Sequence, residues 1–313
     1  MYDSVEINDD DKYIEVLKNT IDEMSDLLDF ISENASRQIQ TEWIGNRLFL
    51  IQGQALDATR HTLSSIFGCS KRACFSDAFT LVRKLRDDLV QYLFIVSTLE
   101  GIEGLSDEES KSYFSNIADV EKITEGMNLL FEILTSGSKK KPHETAIDSW
   151  LENSLSDDDH SQDRRQYFYA SKYISSLKSE TSILNCFELY LDPLWSTIDR
   201  RLNDYVHSNG SKYTMSNLPN YVYNYRKDII NQLISTIRDI MVIFVSVIIL
   251  IKPSYIQSSD YVDYLDAEET PPEGCQYWVG PIIKNFIDTD IVRVSSSLKQ
   301  FLKDNNRYGM QID

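Results

Sequence analysis

The chain has 313 residues, 42% hydrophobic and 26% charged, the proportions of a globular protein with ample material for a core. Its 49 acidic residues against 31 basic ones give a net charge of -18, which excludes a broad polyanion-binding face and leaves nucleic acid only a local basic cluster. Four cysteines (69, 74, 186 and 275) with no CxxC pair exclude a disulfide scaffold, and the polar N-terminus MYDSVEINDDDKY does not read as a secretory signal, so the expected compartment is the cytoplasm.

Long helical patterns follow one another along the chain. Between Asp11 and Asn34, the residues Ile14, Leu17, Ile21, Met24, Leu28 and Ile31 recur at steps of three and four. This seam suits a coiled-coil arm or dimer contact, but its short extent favours an ordinary bundle helix packed on its own chain. A second helix is predicted from Glu42 to Ile66, closed by Gly68. A third, from Asp77 to Leu99 behind a Ser-Asp cap, turns Phe79, Val82, Leu85, Leu89, Tyr92 and Leu93 one way. On its flank Arg83 and Asp87, and Lys84 and Asp88, are spaced for surface ion pairs.

The centre is looser. Residues 102–120 are acidic and polar, a short helix is expected over Val120–Leu134, and TSGSKKKPHETA interrupts. His143, after KKKP, reads as solvated. LENSLSDDDHSQDRRQ puts His160 beside three aspartates, but a solvated acidic loop explains it better than a metal site, because nothing fixes ligand geometry.

Helical patterning resumes at Tyr167. A segment to about Glu180 precedes SILNCFELYLDPLWSTIDRRLNDYVHSNG, in which Pro193 marks a kink or a fresh start. A helix of more than thirty residues follows, capped by Ser216 or Asn217, with Pro219 in its first turn and Lys252-Pro253 as its stop. Within it, Ile240–Ile251 is an unbroken apolar run. A membrane span needs about 20 such residues, and Arg238 and Asp239 prevent extension, so the run is expected to be buried all round in a core. The tail holds the acidic DYVDYLDAEETPPEG, a compact CQYWVGPIIKNFI and an amphipathic piece over Val292–Leu302. The expected fold is all-α, a multi-helix bundle.

RRLNDYVHSNG, residues 200–210, carries the chemistry. On a helical wheel Leu191, Leu194, Trp195, Ile198, Leu202, Tyr205 and Val206 form the core stripe. His207 points away from it, with Arg200 about 20° from it and about 10 Å along the axis. Arg200, Asn203, Asp204 and His207 thus make one exposed polar strip, while Arg201 sits at the edge of the apolar stripe. A neutral histidine, with an ordinary pKa of about 6.5, can take a proton from a ribose 2′-hydroxyl. An arginine can hold the phosphate and offset the charge that builds up on it. A symmetric dimer would supply two of each. Equally, Ser208-Asn209-Gly210 is an ordinary helix stop, and cations in a last turn need no function.

RRLNDYVHSNG, followed by a long helix ending in an apolar run, resembles the HEPN superfamily, over residues 168–252 and more loosely over Asp77–Leu99. These are α-helical, commonly dimeric domains carrying an Arg and a His separated by four to six residues. Arg201 and Arg200 precede His207 by five and six intervening residues, so both fit. The resemblance implies a metal-independent endoribonuclease without cofactors, acting on RNA in phage defence or a toxin–antitoxin pair, with a cognate antitoxin or defence protein as partner. It implies His207 as general base and Arg200 or Arg201 at the phosphate. Many members carry a polar residue after the arginine. Here Leu202 follows Arg201, so Asn203 would take that part and the essential arginine stays open. A non-catalytic helical interaction module and a nucleotide-binding sensor are the rival readings.

On this view residues 1–165 form an N-terminal helical region and 166–313 the HEPN-like region, or the two are one continuous domain. Arg60-His61 reads as a surface pair. Tyr221, Tyr223 and Tyr225, just before Arg226-Lys227, could stack bases, though a partly buried helix start explains them more simply. There is no glycine-rich phosphate loop, GxSxG, HExxH or Walker motif.

Overall fold

A computed structural model describes residues 12–42, 55–100, 170–206, 211–216, 218–258 and 277–307, with isolated positions elsewhere, including 309–312. The helix expected at 120–134, His143, His160, His207 and Cys275 lie outside the described residues. The described chain is helical, and its only extended pairings are two isolated bridges, Gln257 with Val279 and Trp278 with Gln311.

The chain divides into two compact units, residues 1–93 with 178–313, and residues 94–177. Stretches from both sides of position 165 therefore share the first unit. In the second unit the rings of Phe94 and Tyr173 stack at 5.0 Å, and Ala170, Tyr173, Ile174 and Leu177 bury one side of helix α4 (Ala170–Leu177).

In the first unit, α1 (Lys12–Glu42) buries its whole seam. Ile14, Leu17, Ile21, Met24, Leu28 and Ile31 are at most 4% exposed, against neighbouring helices of the same chain. This is the bundle helix, not a projecting arm. Helix α2 (Ala55–Lys71) runs through Gly68 rather than stopping there. The left-handed residue that ends it is Ala73, at φ 60°, and Gly68 lies in the last regular turn. The Ser70 hydroxyl donates to the Ile66 carbonyl, which keeps that turn helical. Helix α3 (Phe75–Glu100) buries all six of its expected apolar positions. Lys84 pairs with Asp88 as its spacing suggests, whereas Asp87 is taken by Arg86 at 2.7 Å.

Helix α5 (Thr181–Cys186), a π-helical turn (Phe187–Leu191) and α6 (Asp192–Val206) form one continuous rod. Pro193 stands where α6 starts afresh, as its second residue, directly after the π-helical turn. Its missing N–H and its ring, which would clash with the carbonyl four residues back, are accommodated by the widened turn, where Asp192 N–H bonds the Phe187 carbonyl. After α7 (Ser211–Met215), helix α8 spans Pro219–Ile251, 33 residues. Its N-cap is Leu218, which has no capping side chain. Ser216 is not the cap, because its hydroxyl bonds the Tyr213 carbonyl, and Asn217 lies outside the described residues.

By length and composition α8 could cross a membrane, yet every residue from Asp239 to Pro253 is buried against the chain. Beyond it come α9 (Pro281–Phe286), a second π turn (Ile287–Ile291), α10 (Val292–Val294) and α11 (Ser296–Asn305). The expected single piece over Val292–Leu302 is broken at Ser295, whose extended backbone ends α10 and whose hydroxyl caps α11. Gly280 packs against Phe30 so closely that a Cβ would lie 2.3 Å from the tip of the ring, so a larger residue would have to displace that side chain.

Candidate helical polar strip

Helix α6 carries the candidate strip because its apolar residues fall on one side. Leu191, Ile198 and Leu202 are fully buried and Tyr205 nearly so, while Leu194 and Trp195 are half-buried. Arg200 and Asn203 are exposed on the other side, and Asp204 binds Lys212 at 2.7 Å. Strip and core therefore part as the wheel predicts, up to Tyr205.

Tyr205 fixes the end of the helix. Its ring stacks on Phe79 with centroids 3.8 Å apart, and its hydroxyl donates to Gln232 Oε1 of α8 at 3.0 Å. Burial first, then the nearby Tyr221 and Asp204, push that hydroxyl up to about 12.

Arg201 behaves differently from Arg200. Its Nη1 donates to Asp239 Oδ2 at 3.0 Å and to Ser235 Oγ at 3.2 Å, both on α8. Asp239, almost fully buried, also accepts from Arg293 Nη2 at 2.9 Å. Arg293 reaches Asp290 at 3.6 Å, and Asp290 accepts from Arg238 Nη1 at 2.6 Å. Arg238 closes the series on Glu23 of α1 at 2.6 Å. Six charges of alternating sign thus join α1, α6, α8 and the π turn that carries Asp290. A buried carboxylate without such partners would be prohibitively costly, so the network is a condition of burying Asp239 and Asp290. Of the two arginines in the motif, Arg201 is engaged in the fold. Arg200 makes no hydrogen bond or ion pair among the described residues.

Sequence reasoning missed Arg86. Its side chain is 6% exposed, pairs with Asp199 of α6 at 2.5 Å, and lies over the Trp195 ring at 5.1 Å. With Leu89, Leu93 and Phe244 it lines a small apolar cavity. The signal was present: Phe79, Val82, Arg86, Leu89 and Leu93 step by three and four, which places a cation in the core stripe. Asp239 was visible only as a charge bordering the apolar run.

The remaining candidates are dispersed. Arg60 pairs with Asp29 of α1 and with Asp57, and His61 is exposed. At the start of α8, Tyr221 is half-buried, while Tyr225 and Tyr223 are 48% and 84% exposed. That helix start is more open than expected. No family model, no curated protein and no solved structure matches the chain.

Proposed function

We propose that the protein is a metal-independent endoribonuclease of HEPN type, a cytoplasmic homodimer acting as a toxin or anti-phage effector. The observation that carries this reading is the exposure of Arg200 and Asn203 on the solvent side of α6, in the turns leading to His207. His207 takes the proton of a ribose 2′-hydroxyl, and the 2′ oxygen attacks the adjacent phosphorus. The bond from phosphorus to the 5′ oxygen breaks, and that oxygen leaves with a proton from water. The products are a 2′,3′-cyclic phosphate and a 5′-hydroxyl. Arg200 holds the phosphate oxygens and Asn203 orients them. Arg201, bound to buried Asp239, supports the helix instead.

The test is cleavage of total RNA by the purified protein with chelator present, read by the chemistry of the new ends. His207→Ala and Arg200→Ala should each abolish cleavage and growth toxicity. Cleavage that survives His207→Ala would refute the reading.

A second reading, a helical interaction module, is favoured by one feature. Met215 and Leu218, next to the strip, are 39% and 46% exposed. A purified parent chain that cuts no RNA but holds a different protein over these residues would support it.

A further inference from the structure

The contact between α6 and α8 follows one stripe of α8. Gln232 meets Tyr205, and Ser235 and Asp239 meet Arg201. Continued backward by steps of three and four, the same stripe passes Asp228 and reaches Tyr225 and Tyr221. These two tyrosines therefore stand on the side of α8 that faces α6, about 10 Å (Tyr225) and about 16 Å (Tyr221) beyond Gln232 along the axis. Their rings are paired, with centroids 4.6 Å apart and planes inclined by 32°. Tyr221 is close enough to Tyr205 to influence its hydroxyl. Tyr223, two residues from each, points to a different side and is 84% exposed.

The surrounding charge is unusual for this chain. From Arg200 to Lys227 there are five basic residues against one acid, Asp204, flanked by Asp199 and Asp228, in a protein with 49 acids and 31 bases. The same stretch holds five tyrosines and five asparagines. Aromatic faces beside local positive charge suit a ligand with flat rings and a negative backbone.

We propose that the Tyr221–Tyr225 pair is a base-stacking platform for single-stranded RNA, seating a nucleotide about 20 Å along α8 from the level of Arg200. This rests on the ribonuclease reading for its biological sense but is measured separately from it. Tyr225 presents the outer, more exposed ring, on whose face a base stacks. Tyr221 is the inner ring that holds Tyr225 in place.

The experiment is a fluorescence-anisotropy titration of a labelled 12-nucleotide oligoadenylate RNA against the full chain carrying His207→Ala, so that the probe stays intact. Tyr225→Ala should weaken binding by roughly 5- to 150-fold, the range of one lost stacked base. Tyr225→Trp should restore it, and Tyr223→Ala should leave it unchanged. Unfolding midpoints of the three variants separate loss of stacking from loss of fold. Binding that depends on Tyr225 in a protein whose parent cuts no RNA would support the platform and remove the nuclease. Cleavage by a parent whose affinity is untouched by Tyr225→Ala would do the opposite. An equal loss in Tyr223→Ala would overturn the assignment to this face. So would absence of oligoadenylate binding, with Tyr225→Ala instead splitting a dimer in sedimentation.

Discussion

Arg201 of α6 donates to Asp239 of α8 at 3.0 Å, and the carboxylate that receives it is only 4% exposed. This contact fastens α6 to the core helix at the point where two adjacent arginines must take different roles. It makes Arg201 a positioning residue and leaves Arg200 to face outward.

The two arginines should therefore fail in different ways. Arg200→Ala should leave the unfolding free energy, measured in urea, within about 0.5 kcal/mol of the parent, as for an unpaired surface residue, while abolishing cleavage. Asp239→Ala should destabilise by about 1–3 kcal/mol, because two partly exposed guanidinium groups lose their shared partner. Arg201→Ala should cost less, since Asp239 keeps Arg293. Equal loss of stability in Arg200→Ala and Arg201→Ala would contradict this division.

The end of α2 is built with its glycine and its alanine in each other's places. Gly68 is exposed, in regular helix, with nothing within 4 Å of an added Cβ. Gly68→Ala should stabilise by about 0.5–1 kcal/mol. Ala73, at φ 60°, occupies a conformation that suits glycine, so Ala73→Gly should stabilise by a similar amount, on the order of 0.5–1 kcal/mol. Thermal midpoints of the single and double variants check both, and the gains should add to within about 0.5 kcal/mol because the substitutions act on separate dihedrals.

Two buried hydroxyls, Tyr92 Oη and Ser246 Oγ, have no hydrogen-bond partner among the described residues. Each was stripped of water on folding without compensation. Tyr92→Phe and Ser246→Ala should each raise stability by about 1 kcal/mol, measured in urea. A loss of more than 1 kcal/mol (a rough threshold set by the usual net worth of one hydrogen bond) would mean that the hydroxyl has a partner.

Alkaline pH should unfold the protein through groups that the fold holds protonated. Burial raises the Cys186 thiol from 9.0 to about 12, and burial with Tyr221 and Asp204 raises Tyr205 from 10.0 to about 12. Burial, and then Tyr255, also drives Tyr92 well above its ordinary value. In the unfolded chain these groups lose protons from about pH 9 upward, whereas the folded chain retains them. The unfolded state then binds fewer protons, so stability falls as pH rises. The fall should begin near pH 9, steepen above 10, and approach about 1.4 kcal/mol per pH unit for each group. Guanidinium unfolding at pH 8, 9, 10 and 11 would show it. Tyr92→Phe should reduce the slope above pH 10, and an unchanged slope would remove Tyr92 from this account.

Much of the architecture could be read from periodicity. The α1 seam, the six apolar positions of α3, the fully buried run at the end of α8 and the split of α6 into core and polar sides all follow from residues recurring at the helical repeat. That repeat is a local property of the chain, so a linear sequence carries it. Of the candidate strip, the exposure of two residues was legible for the same reason: the wheel places Arg200 and Asn203 outward, and they are outward.

What local pattern could not supply was the partner of each charge. Arg201 and Arg200 fit the same spacing, and only the arrival of Asp239 from 38 residues away distinguishes them. The spacing puts Arg86 in the core stripe of α3, but only the fold brings Asp199 and Trp195 to it. The π turns before Asp192 and Val292 were not predicted either, although Pro193 marks the place of the first. The sequence by itself determined the helices and which of their faces are apolar. Tertiary structure alone decided which buried ions pair, because pairing requires residues from α1, α6, α8 and the C-terminal helices to meet where water is excluded and an unpaired charge could not stay.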